Sequence, residues 1–277
     1  MKDGISVKDM TVSFGALGSG VSFTAPRGTV TGIVGENGAG KSTVIRALAG
    51  ILPYRGLAEI NGKSVRSMSK AERQKIGYVG GERSLPESLT LAAFGNVLSR
   101  IFGEWDEIGF AHTAEKFRLP LDKPMSEFST GMKALAALTA ALSHGAETLL
   151  LDEPTSGLDI GVRGEVLDMI YEHMQNESHT VLMSSHLSGD LERICDRIVL
   201  MHEGGVVLEA DKDELMTRYA VVHGDGFKPV RVLRRLYGED LLVLRSSLPE
   251  GTECEYPTLD ELLLFFIKGE KNEGSVS

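Results

Sequence analysis

The chain has 277 residues, which is long enough for one α/β core with a small appendage. Hydrophobic residues make up 42% of it and charged residues 25%, so the composition excludes a disordered or fibrous protein. Acidic residues number 39 against 29 basic ones, and the resulting net charge of −10 disfavours nonspecific binding to nucleic acid.

Neither targeting nor membrane insertion is indicated by the sequence. The opening MKDGISVKDM lacks the continuous apolar core of a signal peptide, and the apolar run at 262–267 is too short to span a bilayer. Cys195 and Cys254 lie far apart, without the clustering of metal sites or disulfide scaffolds. We therefore expect a cytoplasmic protein with reduced, structural thiols.

Strand and helix patterns alternate along most of the chain. Apolar patterning predicts strands at 5–14, 21–25, 29–34, 76–79, 148–151 and 180–183, and on either side of Glu203-Gly204-Gly205. Helical spacing and N-cap residues predict helices at 41–49, about 90–116, 129–142, 160–175 and 187–194. This alternation indicates an α/β fold with a mostly parallel sheet.

The segment GENGAGKST joins a predicted strand to a predicted helix. Its glycines let backbone N–H groups approach phosphate oxygens without a Cβ in the way, while Lys41 adds a positive charge and Ser42 a hydroxyl for Mg²⁺. A plain glycine-rich turn is the alternative, but it leaves the Lys-Ser-Thr run unexplained. We expect ATP and Mg²⁺ to bind at Gly35, Asn37, Gly38, Ala39, Gly40, Lys41, Ser42 and Thr43.

Two carboxylates follow a short apolar run that is typical of a buried strand. Asp152 and Glu153 come directly after Leu149-Leu150-Leu151, at the strand end where open α/β sheets bind ligands. We expect Asp152 to hold Mg²⁺ through water and Glu153 to polarise the water that attacks the γ-phosphate. The alternative is a strand end with solvated acids.

Four motifs occur in a fixed order, namely GENGAGKST, FSTGMK, LLLDEPTSGLD and His186 in LMSSHL. Together they resemble the ATP-binding cassette of ABC transporters, over roughly residues 3–220. The resemblance implies a P-loop NTPase core with a mostly parallel sheet, antiparallel strands near the N-terminus and an inserted helical subdomain. It places the ATPase domain at 1–220, the helical subdomain at about 84–145, and a small α+β extension at 221–277.

The resemblance also implies roles for residues outside the glycine loop. Ser129 and Gly131 would reach the γ-phosphate held by a second copy, so that two chains enclose two ATP molecules. His186 matches a histidine that contacts the γ-phosphate and orients water. Asp159 lies in a segment that matches a loop coupling the two copies, and Phe14 matches an aromatic residue that stacks on adenine. The alternatives are simple helix caps, a structural histidine and a core aromatic.

Two regions of the chain depart from the family pattern. Gly81 stands where the family has a glutamine that touches Mg²⁺, so Glu82 or a water would substitute for it. Thr130 replaces a glycine, while Ser129 and Gly131 preserve the phosphate contact. These departures bear on the hydrolysis rate and the metal geometry rather than on nucleotide binding.

The resemblance implies a subunit that hydrolyses ATP, dimerises on Mg-ATP and drives a separate permease, at the inner face of the cell membrane. The expected contact surface is the helical subdomain at 90–119 with the loop at 80–85. The ending PTLDELLLFFIKGE resembles the tails of subunits that work with exporter-type permeases in bacteria, and the alternative for it is a helix that packs on its own domain. One alternative is a non-transport ABC ATPase of translation or DNA repair, disfavoured by the single cassette. The other is a nucleotide-dependent regulator with little turnover.

Overall fold

A computed structural model of the chain describes residues 4–12, 20–80, 85–223, 226–236 and 238–271. Its strands are β1 (Gly4–Thr11), β2 (Val21–Pro26), β3 (Val30–Val34), β4 (Arg55–Ile60), β5 (Lys63–Ser64), β6 (Ile76–Val79), β7 (Thr148–Asp152), β8 (Thr180–Ser185), β9 (Arg197–His202), β10 (Gly205–Asp211), β11 (Tyr219–His223), β12 (Arg231–Arg235), β13 (Gly238–Leu244) and β14 (Glu270–Lys271). Its helices are α1 (Lys41–Leu48), α2 (Lys70–Arg73), α3 (Leu91–Ile101), α4 (Glu107–Lys116), α5 (Thr130–Leu142), α6 (Ile160–His173), α7 (Ser188–Ile194), α8 (Lys212–Arg218) and α9 (Leu259–Lys268).

The described strands form three sheets. The central sheet has the order β10-β9-β3-β8-β7-β6 and is parallel except for β10, which pairs antiparallel with β9. The second sheet, β2-β1-β4-β5, is antiparallel and contains the N-terminal strands. The third, β11-β13-β12-β14, is also antiparallel and lies in the C-terminal part of the chain. The predicted α/β class, with its antiparallel strands near the N-terminus, is confirmed.

Most predicted elements occur close to their predicted bounds. The central strands were predicted well because they are continuous apolar runs. Every residue of β3, β7 and β8 is buried, as expected for parallel strands covered on both faces. No clear sequence signal predicted β4, β5, α2 or α8. These elements are short or only half buried, so apolar periodicity cannot be read over their few residues.

The C-terminal extension shares one apolar core with the rest of the molecule. Leu259, Leu262 and Phe265 of α9 are buried in the same cluster as Leu191 of α7 and Leu149 of β7.

Within the described residues, no helix is both long and apolar enough to cross a bilayer.

Helix α7 packs closely on the central strand β3 at Gly32. A Cβ at Gly32 would lie 2.6 Å from Cδ2 of Leu191 and 2.8 Å from Sγ of Cys195, both closer than real side-chain contacts. Leu191 and Cys195 are themselves buried, so they have little room to move. Glycine at this position therefore sets the distance between α7 and the sheet.

We expect Gly32→Ala to destabilise the fold by about 1–3 kcal/mol, because the added methyl overpacks a closed core. Urea denaturation measures the change. The double variant Gly32→Ala/Leu191→Ala should be more stable than the sum of the two single changes predicts, since removing the Leu191 side chain makes room for the methyl. Strictly additive losses would contradict this packing account.

Candidate functional site

The loop between β3 and α1 has glycines at positions that exclude other residues. A Cβ at Gly35 would lie 2.1 Å from the carbonyl oxygen of Met201 in the neighbouring strand β9. Gly38 and Gly40 have φ angles of 86° and 102°, in the left-handed region that favours glycine. An open cavity of about 470 Å³ adjoins this loop and is lined by Asn37, Gly38, Gly40, Lys41, Ser42, Thr43, Glu153, Ser156 and His186.

Lys41, the first residue of α1, supplies the positive charge at the end of this loop, and its side chain is only 5% exposed. Its Nζ donates hydrogen bonds to the carbonyl oxygens of Gly35, at 2.8 Å, and Glu36, at 3.2 Å. The Nζ also lies 3.8 Å from Oε1 of Glu153. A buried ammonium needs such partners, and a carboxylate compensates its charge. Phosphate oxygens entering the cavity could take the place of this carboxylate.

Ser42 and Asp152 meet at the start of α1. The Ser42 hydroxyl donates to Oδ1 of Asp152 at 2.7 Å, and Nη2 of Arg46 lies 3.6 Å from Oδ2. Hydroxyl and carboxylate oxygens are the ligands that Mg²⁺ prefers, so this pair fits Mg²⁺. Among the described residues, no group of three or more His, Cys, Asp or Glu side chains could hold a metal. A Mg²⁺ ion at this pair would therefore need further oxygens from phosphate or water, as is usual for nucleotide-bound Mg²⁺.

Glu153 adopts a backbone conformation that is unusual for its residue type. Its φ angle is 52°, in the left-handed region where a residue with a Cβ is strained by about 1–3 kcal/mol. Nδ1 of His186 lies 2.6 Å from Oε2 of Glu153. Because an ionised carboxylate can only accept, Nδ1 is assigned as the donor in this bond. Glu153 is thus held between the imidazole of His186 and the ammonium of Lys41.

Ser184, which the sequence analysis did not single out, connects the two acidic residues. Strand pairing sets Ser184 opposite Asp152, and its hydroxyl donates to Oδ1 of Asp152 at 2.9 Å. The same hydroxyl accepts the backbone N–H of Glu153 at 2.9 Å. Ser184 is fully buried and stabilises both the Asp152 carboxylate and the strained Glu153 backbone. Its position two residues before His186 was the only sequence signal that could have indicated this role.

Tyr78 of β6 lies beside the acidic strand end and stays neutral. Burial raises the pKa of its phenol, and the nearby charge of Asp152 adds to this, while Arg46 acts in the opposite direction. Tyr78 therefore keeps its hydroxyl proton at physiological pH and adds no second negative charge beside Asp152.

Ser129, Gly131 and Asp159 are not among the residues that line the cavity of the glycine loop. Ser129 is the exposed N-cap of α5 and accepts the N–H of Met132 at 3.2 Å. Asp159 is the exposed N-cap of α6 and accepts the N–H of Val162 at 3.1 Å. In the isolated chain, both residues cap a helix, which was the alternative prediction given for them. A contact with a second copy stays a prediction.

Three residues with predicted roles lie outside the described residues. They are Phe14, expected at the adenine, and Gly81 and Glu82, at the position of the family's glutamine.

We expect Ser184→Ala to lower the apparent Mg²⁺ affinity in the presence of ATP roughly tenfold, because Asp152 loses a donor that orients it. ATP binding without Mg²⁺ should be unchanged. Titration of a fluorescent ATP analogue with and without Mg²⁺ measures both quantities.

The matched control is Thr180→Val. Thr180 is also fully buried in β8, but its hydroxyl has no hydrogen-bond partner among the described residues. Removing it should leave the Mg²⁺ dependence unchanged. If Ser184→Ala behaves like this control, Ser184 does not orient Asp152.

The loop, the acidic strand end and the order of the motifs agree with comparisons to known proteins. A family model described as ABC transporter matches residues 19–156. A solved structure titled as the ATP binding subunit of an ABC transporter superposes with a TM-score of 0.68 at 28% identity. That match covers 76% of this chain and 91% of the other.

Two curated relatives share sequence over most of their length. The ABC transporter ATP-binding protein NatA of Bacillus subtilis is 31% identical over 70% of this chain and 82% of its own. The Nod factor export ATP-binding protein I of Burkholderia orbicola is 32% identical over 87% of this chain and 79% of its own. With its P-loop fold and this degree of similarity, the chain belongs to the family of ABC transporter ATP-binding proteins.

Proposed function

We propose that this chain hydrolyses Mg-ATP and that the reaction drives a separate transmembrane permease. The observation that carries the proposal is the meeting of Lys41, Glu153 and His186 at the cavity of the glycine loop. A cation for phosphate, a carboxylate base and an orienting imidazole are the groups that phosphoryl transfer to water requires.

The charged and polar groups at and beside the cavity have distinct roles in this reaction. The loop N–H groups and Lys41 bind the triphosphate, and Ser42 with Asp152 would hold Mg²⁺, which when bound neutralises phosphate charge. Glu153 accepts the proton of the attacking water. His186 orients Glu153 through Nδ1 and, with nucleotide present, contacts the γ-phosphate.

We assign the second half of the site to another copy of this chain. Ser129 is exposed at the N-terminus of α5, where free N–H groups and the helix dipole attract an anion. Ile160, directly after Asp159, is 90% exposed and apolar, which suits a surface that becomes covered. We propose that Ser129, Gly131 and Asp159 complete the site of the partner copy when ATP is bound.

The permease contact is assigned to the helical subdomain. Four large apolar side chains of α3, α4 and the following loop are exposed by 41–84%, which favours contact with another protein. They are Val97, Ile101, Ile108 and Leu121. We place the protein at the inner face of the cell membrane, and we propose export because one relative is named for export.

This proposal keeps the expected division of the chain. An ATPase domain at 1–220, with a helical subdomain at about 84–145, precedes an extension at 221–277. The division is supported by the separate antiparallel sheet in the C-terminal part of the chain. The first strand of that sheet, β11, spans the expected boundary.

We expect Glu153→Gln to lower the ATP turnover number at least about 100-fold, because the amide cannot accept the proton of water. ATP-dependent dimerisation should be retained or strengthened, since the charge facing the phosphates is lost. Phosphate release and light scattering measure the two effects. Glu165→Gln, on the exposed face of α6, is the control. Unchanged turnover in Glu153→Gln would refute the assignment of the base.

We expect Ser129→Asp to abolish ATP-dependent dimerisation and turnover without unfolding the chain. Aspartate caps a helix as well as serine does, but its charge repels the γ-phosphate of the other copy. Ser129→Asn is the matched control, because asparagine caps equally well without a charge. Scattering with ATP in the Glu153→Gln background measures dimerisation. A dimer that forms equally well with Ser129→Asp excludes the contact.

A further inference from the structure

Helix α7 of the ATPase domain begins two residues after His186. Its N-cap is Leu187, whose side chain makes no capping hydrogen bond. The backbone N–H of Leu187 is instead bonded to the Ser185 hydroxyl at 3.0 Å. Because α7 has only seven residues and no side-chain cap, its position depends on tertiary contacts.

On one side, α7 is bonded to the segments that follow Glu153 and Asp159. Asp190 of α7 is 1% exposed and accepts the Thr155 hydroxyl at 2.5 Å, as well as Nε of Arg163 in α6. Thr155 lies two residues after Glu153. Since Asp190 is fully paired and buried, α7 and the segment after Glu153 are expected to move as one body.

On the other side, α7 is bonded to the C-terminal extension. The Ser188 hydroxyl donates to Oδ2 of Asp260 in α9 at 2.8 Å. The N–H of Leu259, the first residue of α9, donates to Oε1 of Glu192 in α7 at 3.1 Å. Leu191 of α7 and Leu259 of α9 are both buried in the shared apolar core, which holds the two helices beside these hydrogen bonds.

The first turn of α9 is also stabilised by hydrogen bonds within α9 itself, which do not involve α7. Thr258 and Glu261 form a reciprocal capping box around the first turn of α9. The box pairs the N–H groups of Thr258 and Glu261, while that of Leu259 is paired by Glu192 of α7. Glu192 of α7 therefore satisfies a backbone N–H at the start of α9, and Asp260 of α9 binds a side chain at the start of α7.

We propose that the C-terminal extension sets the position of His186 by holding α7, with Asp260 and Glu192 as positioning residues. The inference rests on the proposed ATPase function, because it assigns a further control of the same site. Contact between α9 and α7 keeps His186 bonded to Glu153. A change in the extension is thereby transmitted to the catalytic carboxylate across α7, without any contact between the extension and the nucleotide.

The test compares variants of the full chain at the α7–α9 contact. Asp260→Ala and Glu192→Ala should each lower the turnover number roughly fivefold, the effect of losing one ordinary hydrogen bond, while the KM for ATP changes less than twofold. Asp260→Asn keeps an oxygen that accepts from Ser188, so it should retain most of the turnover.

The matched control is Glu261→Ala. Glu261 is an acid in the same first turn of α9, and its described hydrogen bonds go to Thr258 rather than to α7. This variant should lower the thermal stability of the fold by as much as Asp260→Ala does, but leave turnover unchanged. Equal turnover losses in the two variants would overturn the proposal, because the effect would then come from destabilisation alone.

A second readout does not depend on hydrolysis. Amide hydrogen exchange over residues 186–194 should be faster in Asp260→Ala than in Glu261→Ala. If the wild type hydrolyses no ATP but this difference is found, the proposed function fails while the coupling of α9 to the His186 segment stands. Equal exchange in the two variants would overturn the coupling.

Discussion

The Asp152 carboxylate accepts hydrogen bonds from Ser42 of α1 and Ser184 of β8 at the same oxygen, 2.7 and 2.9 Å away. One oxygen thus joins the helix after the glycine loop, the acidic strand β7 and the strand that leads to His186. The parallel pairing of β7 with β8 makes this possible, because it brings Asp152 level with Ser184. Asp152 and Ser184 are buried, which strengthens the hydrogen bond between them and makes an unpaired group there costly, while Ser42 faces the open cavity. The rest of the site is built around this point.

Charge compensation explains the arrangement of the remaining groups. Lys41 is nearly buried, so its ammonium requires a carboxylate or a phosphate nearby. Glu153 provides the carboxylate, and His186 holds its other oxygen. In the proposed reaction, phosphate oxygens compete with Glu153 for Lys41, and the released carboxylate becomes available to water. The strained backbone of Glu153 fits a residue that changes partners during a cycle.

The C-terminal extension is integrated with this site through packing rather than through proximity to nucleotide. Its helix α9 shares an apolar core with α7 and is hydrogen-bonded to Ser188 and Glu192 of that helix. Gly32 allows α7 to approach the central sheet closely. The central sheet, α7 and α9 are consequently packed in that order, and α7 begins two residues after His186.

How far the site could be predicted depends on how local its signals are. The glycine loop was recognisable because three glycines are followed at once by Lys41 and Ser42. Glycine is required there because Gly35, Gly38 and Gly40 lie where a Cβ is excluded or φ is positive. The acidic strand end was recognisable from a fully apolar run. Ser184 was missed because a serine within a buried strand has no distinctive pattern, and only the pairing with β7 reveals its two partners.

Sequence alone therefore determined the fold class, the glycine loop, the acidic strand end and the family resemblance, since all of these rest on patterns within short segments. Tertiary structure decided which side chains share a hydrogen bond, because register and packing bring together Ser42, Asp152 and Ser184 from three distant segments. It also decided that α9 is held on α7. The apolar face of α9 shows that it is buried, but a helix pattern does not say against what.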